Sequence, residues 1–274
     1  MIKKIITVIL FTVFLFVLIF SLINIIKWKI DNKKIDNQVK EIQELVEVIE
    51  LPDEQSKIIE EPIIEEKNES KKNNEKTSMC WDYTNIKLIN VDIKELKKKN
   101  NDTVGWIQVA GTNINYPFVK TNNNTYYLNH SFNKSKNNAG WIFLDYRNDI
   151  NNFKKNTIIY GHSRLNKTMF GTLNKVTKSN WLNNKENHII RITSENENSL
   201  WQVFSVYRIK TTSDYLRTSF AGNKDFENFI KLITNRSMYN FKVDVDKDDY
   251  ILTLSTCADN DKKTVVHAKL IKKN

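Results

Sequence analysis

Cysteine is nearly absent from this chain: there are 2 in 274 residues, Cys80 and Cys257. A disulfide framework would need more cysteines at closer spacing, so that class of fold is excluded. Glycine is also scarce, with 6 residues, and none of them forms a glycine-rich phosphate loop. The 4 histidines and 2 cysteines show no metal-ligand spacing, so neither a metal nor a cofactor is expected. No internal repeat and no nucleic-acid motif is visible, and nucleic acid is not an expected partner. The formal charge of +10 comes from scattered lysines. It reads as a soluble surface or, in an exported protein, as attraction to wall polyanion or lipid headgroup.

One long uncharged run stands out against this polar background. Residues Ile5 to Ile26 are almost wholly apolar, long enough to cross a hydrocarbon core of roughly 30 Å. Lys3 and Lys4 precede the run, and Trp28 follows it at an interfacial position. The stretch Ser21-Leu22-Ile23-Asn24 offers no small-residue cleavage pattern, so an uncleaved signal anchor is expected. Lys27, Lys29, Lys33 and Lys34 crowd the far side, against the usual positive-inside bias. The expected organisation is a cytoplasmic N-terminus over residues 1–4, a transmembrane anchor over 5–26, a helix and tether over 27–79, and one domain over 80–274.

After the run, Ile35, Val39, Ile42, Val46 and Ile49 alternate steps of four and three. That pattern fits either a short coiled coil or a single amphipathic helix lying on the membrane or the domain, and it should stop at Leu51-Pro52. Asp53 to Thr77 is rich in Glu, Lys, Asn and Ser and reads as a flexible tether. Order should resume at Trp81. Asp92 is placed to cap a helix over Ile93 to Lys99.

From there the pattern is strand-like. Candidate strands are Val104–Val109, Ile114–Tyr116 ended by Pro117, Trp141–Leu144, Thr157–Tyr160, His188–Ile192, Leu200–Ile209, Tyr250–Thr256 and Thr264–Ile271. One helix interrupts them: Asp225 is its expected cap, and Phe226, Phe229, Ile230 and Ile233 mark its buried face. Many short strands with few helices point to a mostly β fold, a closed or nearly closed barrel.

Two strand ends carry candidate chemistry. Thr253-Leu254-Ser255-Thr256-Cys257 sets a thiol where an apolar strand meets the polar run starting at Ala258, and Ile158-Ile159-Tyr160-Gly161-His162 sets an imidazole at a glycine turn. Covalent acyl transfer through cysteine needs a thiolate and a nearby proton donor, brought together in space rather than in sequence. A buried, inert cysteine is the competing reading for Cys257. His188 starts a strand and His267 lies within one, which suits structural roles, and His130 sits in a polar loop. Cys80 is left unpaired and reads as incidental.

The tract Ile251 to Cys257 resembles the nucleophile motif of sortases, the cysteine transpeptidases of Gram-positive cell surfaces. Over about Asn100 to Lys272 the chain resembles class B in particular. Gly105-Trp106, Thr112 to Pro117, Tyr126 to His130, Asp145 to Asn148 and Tyr160 to Ser163 look like that class's blocks, in its order. The resemblance implies an eight-stranded barrel with an N-terminal helix and an extra helix between the late strands.

It also implies that Cys257 attacks the threonine carbonyl of a C-terminal sorting signal and that His162 protonates the leaving amine. A peptidoglycan-precursor amine would then resolve the thioester, joining the surface protein to the wall. The peptide groove would be lined by Asn124, Leu128, Tyr160, Thr211, Tyr215, Leu216 and Ser255. The domain is then expected outside the cell membrane, with sorting-signal-bearing proteins as partners.

One position departs from the family pattern. The family's arginine stands just before a sequence like Val265-Val266-His267-Ala268-Lys269, and here that place holds Lys263. Lysine keeps the charge but loses the planar fork. Three readings stay open: Lys263 substitutes, activity is low, or an arginine such as Arg208 reaches in. Two other classes compete with the sortase reading, a hydrolytic cysteine peptidase or wall L,D-transpeptidase, and a membrane-anchored binding module with a decayed site.

Overall fold

The alternation of apolar residues along eight strands closes them into one barrel in a computed structural model that describes residues 2–52, 57–59, 83, 85–257 and 262–274. Cys80, Trp81 and nearly all of the tether from Asp53 to Thr77 lie outside the described residues. The barrel strands are β1 (Thr103–Val109), β2 (Asn115–Val119), β3 (Phe143–Leu144), β4 (Asn156–His162), β5 (Ile189–Ser194), β6 (Asn198–Lys210), β7 (Ile251–Cys257) and β8 (Lys262–Lys273). Around the wall the order is β7-β4-β3-β2-β1-β5-β6-β8, and pairing of β7 with β8 closes the ring. The contacts β2–β3 and β4–β7 are parallel; the others in the ring are antiparallel.

Proline 117 does not end its strand. β2 runs through it to Val119. The Val119 N–H donates to Ile142 O at 3.1 Å. Two residues earlier the Pro117 nitrogen faces the same side, where β3 no longer reaches, so its missing N–H costs no ladder bond. Trp141 and Ile142, expected in a strand, precede β3, which is only Phe143–Leu144.

The main core is built of large side chains, with Trp106, Trp141 and Trp201 buried together with Ile107, Ile159, Leu252, Leu254 and Val266. A second layer covers the outer face of β6, β7 and β8. Here helix α3 (Asn223–Asn235) lays down Phe226, Phe229, Ile230 and Ile233 against Phe204, Tyr207, Ile251 and Val265, as the i, i+3, i+4, i+7 spacing predicts. Its start differs from expectation. The cap position is Gly222, and Asp225 sits inside the first turn, accepting the Ala221 N–H at 2.9 Å and pairing with Arg217. Helix α2 (Ile93–Lys99) begins as expected, with the Asp92 side chain accepting the Glu95 N–H at 3.0 Å.

The N-terminal run and the amphipathic seam form one continuous helix, α1 (Ile2–Leu45). Its first part is long and apolar enough to cross a membrane, and its large apolar side chains are exposed. Its last turns lie on the barrel rather than in a coiled coil. Ile35 and Ile42 are buried in the main core with Val46, and Val39 packs against it. Burying such side chains contributes about 1.5–3 kcal/mol each, and Lys99–Glu41 at 3.0 Å adds an ion pair at the edge.

The helix stops at Leu45, before Leu51-Pro52, because the chain turns to pair Ile49–Glu50 with Ile89–Asn90. Leu51 N also donates to Leu88 O at 2.8 Å. Ile49 is therefore off the seam and exposed. A further short pairing joins Lys57–Ile58, within the expected tether, to Lys272–Lys273 at the free edge of β8.

Candidate active site

Strands β4 and β7 run in parallel and end level with each other. Their register sets Ser255 opposite Tyr160 and Cys257 opposite His162. On the other side of β7, Ser255 lies opposite Val265 of β8. The β7–β8 register ends at that pair, and Lys263 stands two residues before Val265 on β8. Positions 162 and 257 thus form one row across two adjacent strands. Side chains alternate along a strand, and Lys263 has the parity of Val265 and Tyr207, on the wall face that α3 and the 211–222 segment cover.

Lys263 is half-buried, opposite Ile209 of β6. Arg208 is exposed and lies opposite Thr264, so it belongs to the neighbouring row and the other face of the wall. The Thr264 N–H donates to Thr256 Oγ1 at 2.8 Å, which ties β8 to β7 next to the row.

His162 is half-buried, and its Nε2 lies 2.7 Å from Leu128 O. A carbonyl only accepts, so Nε2 carries a proton and Nδ1 is left as the ring's other working nitrogen. One glycine makes room for this histidine, and a second makes room for Phe170 beside it. Gly140 has φ +62, and a Cβ there would sit 2.8 Å from His162 Cδ2 and 2.5 Å from Tyr127 O. A Cβ on Gly161 would sit 2.8 Å from the Phe170 ring.

Two of the expected groove residues meet at one buried carboxylate, and a third, Leu216, joins them through Arg147. Asp145 Oδ2 accepts from Asn124 Nδ2 at 2.9 Å and from the Tyr160 hydroxyl at 2.9 Å. Arg147 closes the cluster, donating to Asp145 Oδ1 and Oδ2 at 2.8 and 2.7 Å and to Leu216 O at 3.0 Å. Burial alone would push the Asp145 carboxyl up. The Arg147 side-chain and backbone bonds and the Tyr160 hydroxyl outweigh that and hold it below the usual carboxylate range. Burial, with the Asp145 charge beside it, pushes the Tyr160 phenol well up.

Asp145 and Arg147 are candidate site residues that the sequence alone did not single out. Their signal was present in Asp145-Tyr146-Arg147-Asn148, an Asx-type turn in which Asp145 Oδ1 also accepts the Arg147 N–H at 3.0 Å.

The remaining expected groove residues fall in separate places. Tyr215 is fully buried, and its hydroxyl is 2.9 Å from Ser255 Oγ, which pins the 211–222 segment onto β7. Leu128 meets the site through its carbonyl on His162. Thr211 is exposed just past the end of β6.

The other histidines are held elsewhere. His267 is fully buried between Tyr207 OH and Thr253 Oγ1, each at 2.9 Å. Burial, helped by the Arg236 charge, pulls its pKa down to about 3. His188 is buried with Nε2 2.9 Å from Leu182 O, and His130 stacks on Tyr126 with centroids 4.0 Å apart.

A sortase-domain family model matches residues 107–271, and the chain belongs to the sortase family of cysteine transpeptidases. Its relatives are of class B. It is 38% identical to sortase B of Staphylococcus aureus over 183 residues, 65% of this chain and 74% of that protein. It is 36% identical to sortase B of Listeria monocytogenes over 191 residues, 66% of this chain and 75% of that protein. The crystal structure of S. aureus sortase B superposes with a TM-score of 0.62 at 37% identity, covering 65% of this chain and 86% of that one. A sortase B–substrate complex from the same organism gives 0.62 at 37%, covering 66% and 84%. The expected eight-stranded barrel and the class B resemblance are both borne out.

Proposed function

We propose that this chain cleaves a C-terminal sorting signal after threonine and transfers the surface protein to a peptidoglycan-precursor amine through a thioester on Cys257. The observation that carries this reading is the register of Cys257 against His162 at the ends of two parallel strands. The Cys257 thiolate attacks the threonine carbonyl carbon. As the tetrahedral intermediate collapses, the C–N bond breaks, and the His162 imidazolium gives its proton to the leaving amine. The acceptor amine then attacks the thioester, the C–S bond breaks, and His162 recovers a proton from the attacking nitrogen.

Lys263, near the start of the adjacent strand β8, supplies positive charge toward the developing oxyanion, beside backbone N–H groups. The opposite parity of Arg208 supports Lys263 over that arginine. Asn124, Leu128, Tyr160, Thr211, Tyr215, Leu216 and Ser255 contribute to the peptide groove. Asp145 and Arg147 fix the positions of Tyr160 and Asn124 and the Leu216 carbonyl.

The barrel acts on the outer side of the membrane, held there by residues 5–26. Protease added to protoplasts should release a fragment cut between Asp53 and Thr77; full protection of the barrel would rule this orientation out. The reaction itself is tested by incubating the soluble domain with a labelled sorting peptide and an amine. Ligation supports transpeptidation, hydrolysis alone points to a peptidase, and no reaction points to a binding module.

A further inference from the structure

The molecule carries a basic cleft that the transpeptidation reading does not use. It lies between α1 and the segment that follows β4, with a volume of about 340 Å³. Lys27 and Lys34 line it from the helix, and Arg164 lines it from the barrel, with Asp31 as the one acidic residue and Trp28 and Asn138 on its walls. Three cations against one carboxylate leave a net positive site suited to an anion.

The cleft is built from two bodies rather than from lysines on a single helix. Arg164 bonds the side chain of Asn32, a buried residue of α1, and donates to Asn138 O at 3.4 Å. Asn137 Nδ2 donates to Asp31 O at 3.3 Å. These contacts fix the guanidinium in the lining of the cleft, where its charge adds to that of the two lysines.

The position of the cleft identifies the anion. The apolar run ends at Ile26, and Lys27 to Lys34 continue the same helix. At 1.5 Å per residue these positions lie within about 12 Å of the run's end, which covers the headgroup layer of a bilayer. Trp28 is half-exposed there, as an interfacial aromatic is.

We infer that this cleft binds the phosphodiester headgroup of an anionic phospholipid, clamping the barrel against α1 at the membrane surface. Arg164 lies two residues after His162, so an occupied cleft also holds the catalytic end of β4 close to the bilayer. The inference is independent of the transpeptidation reading and of which side of the membrane the barrel occupies.

Native mass spectrometry of the full chain in detergent, titrated with phosphatidylglycerol or phosphatidylcholine, tests it. One phosphatidylglycerol should be retained in preference to phosphatidylcholine. The variant Lys27→Gln/Lys34→Gln should bind it about 10- to 30-fold more weakly, at about 1 kcal/mol per interfacial cation. Lys3→Gln/Lys4→Gln, at the other end of the run, and Lys33→Gln, outside the cleft, should bind like the parent, and every variant should melt like the parent. Equal binding of the two lipids would overturn the inference. So would undiminished binding by Lys27→Gln/Lys34→Gln, an equal loss in the Lys3/Lys4 variant, or displacement of the lipid by equimolar inorganic phosphate.

Discussion

Cys257 and His162 are the last residues of β7 and β4, and the parallel register of those strands sets them directly opposite each other. Parallel neighbours end on the same side of a barrel wall, so two residues far apart in sequence share one rim without any loop having to position them. The ladder itself sets the separation of the proposed nucleophile and proton donor. Everything else in the site is arranged around that pair.

His162→Ala should lower transpeptidation by about 10²–10⁴-fold, the usual contribution of a positioned acid–base group, with the fold unchanged. His130→Ala is the control, since that ring is stacked on Tyr126 and bonded to Tyr126 O at 2.7 Å. Steady-state rates of the two variants should separate clearly. A loss of only a few-fold in His162→Ala, or equal losses in both, would assign His162 a structural role.

Lys263→Ala should slow catalysis by about 10²–10³-fold, as loss of one oxyanion donor does, while Lys263→Arg keeps or raises the rate. Arg208→Ala should be nearly silent, because Arg208 lies opposite Thr264 in the neighbouring row. A severe Arg208→Ala defect with a silent Lys263→Ala would reverse this assignment. If both are silent, backbone N–H groups alone hold the oxyanion.

Acidification should destabilise the barrel in two stages. His267 is held down to about 3 when folded and returns to an ordinary value of about 6.5 when unfolded. Between those values only the unfolded chain binds that proton, so stability should fall as the pH drops below about 6.5, by about 1.4 kcal/mol per pH unit from this group. Asp145, held below its ordinary value, adds a second loss where the pH falls through the carboxylate range below about 4. Thermal melts from pH 8 to 3 would follow both. A melting temperature flat between pH 6.5 and 4.5 would contradict the buried neutral state of His267.

The strand ends were legible because each apolar run stops abruptly at a polar or glycine-bearing turn, and that signal is local. The face of α3 was legible for the same reason, through its 3.6-residue period. Pro117 misled because a proline is excluded only where its nitrogen faces a partner strand, and that depends on how far β3 extends. The seam of α1 was periodic enough to read, but its partner was not, since Ile35 and Ile42 bury against barrel residues remote in sequence. Asp145 was missed as the centre of this hydrogen-bonded cluster for a related reason. Its partners Asn124, Tyr160 and Arg147 come from three segments that only the closed barrel brings to one carboxylate.

Cys257 is the residue proposed to carry the acyl group. Intact-mass analysis and peptide mapping of the domain, quenched during turnover of a sorting peptide in the absence of amine, test it most directly. One thioester adduct should form, map to Cys257 and be absent from a folded Cys257→Ala variant. An adduct on Cys80, or undiminished turnover by Cys257→Ala, would contradict it.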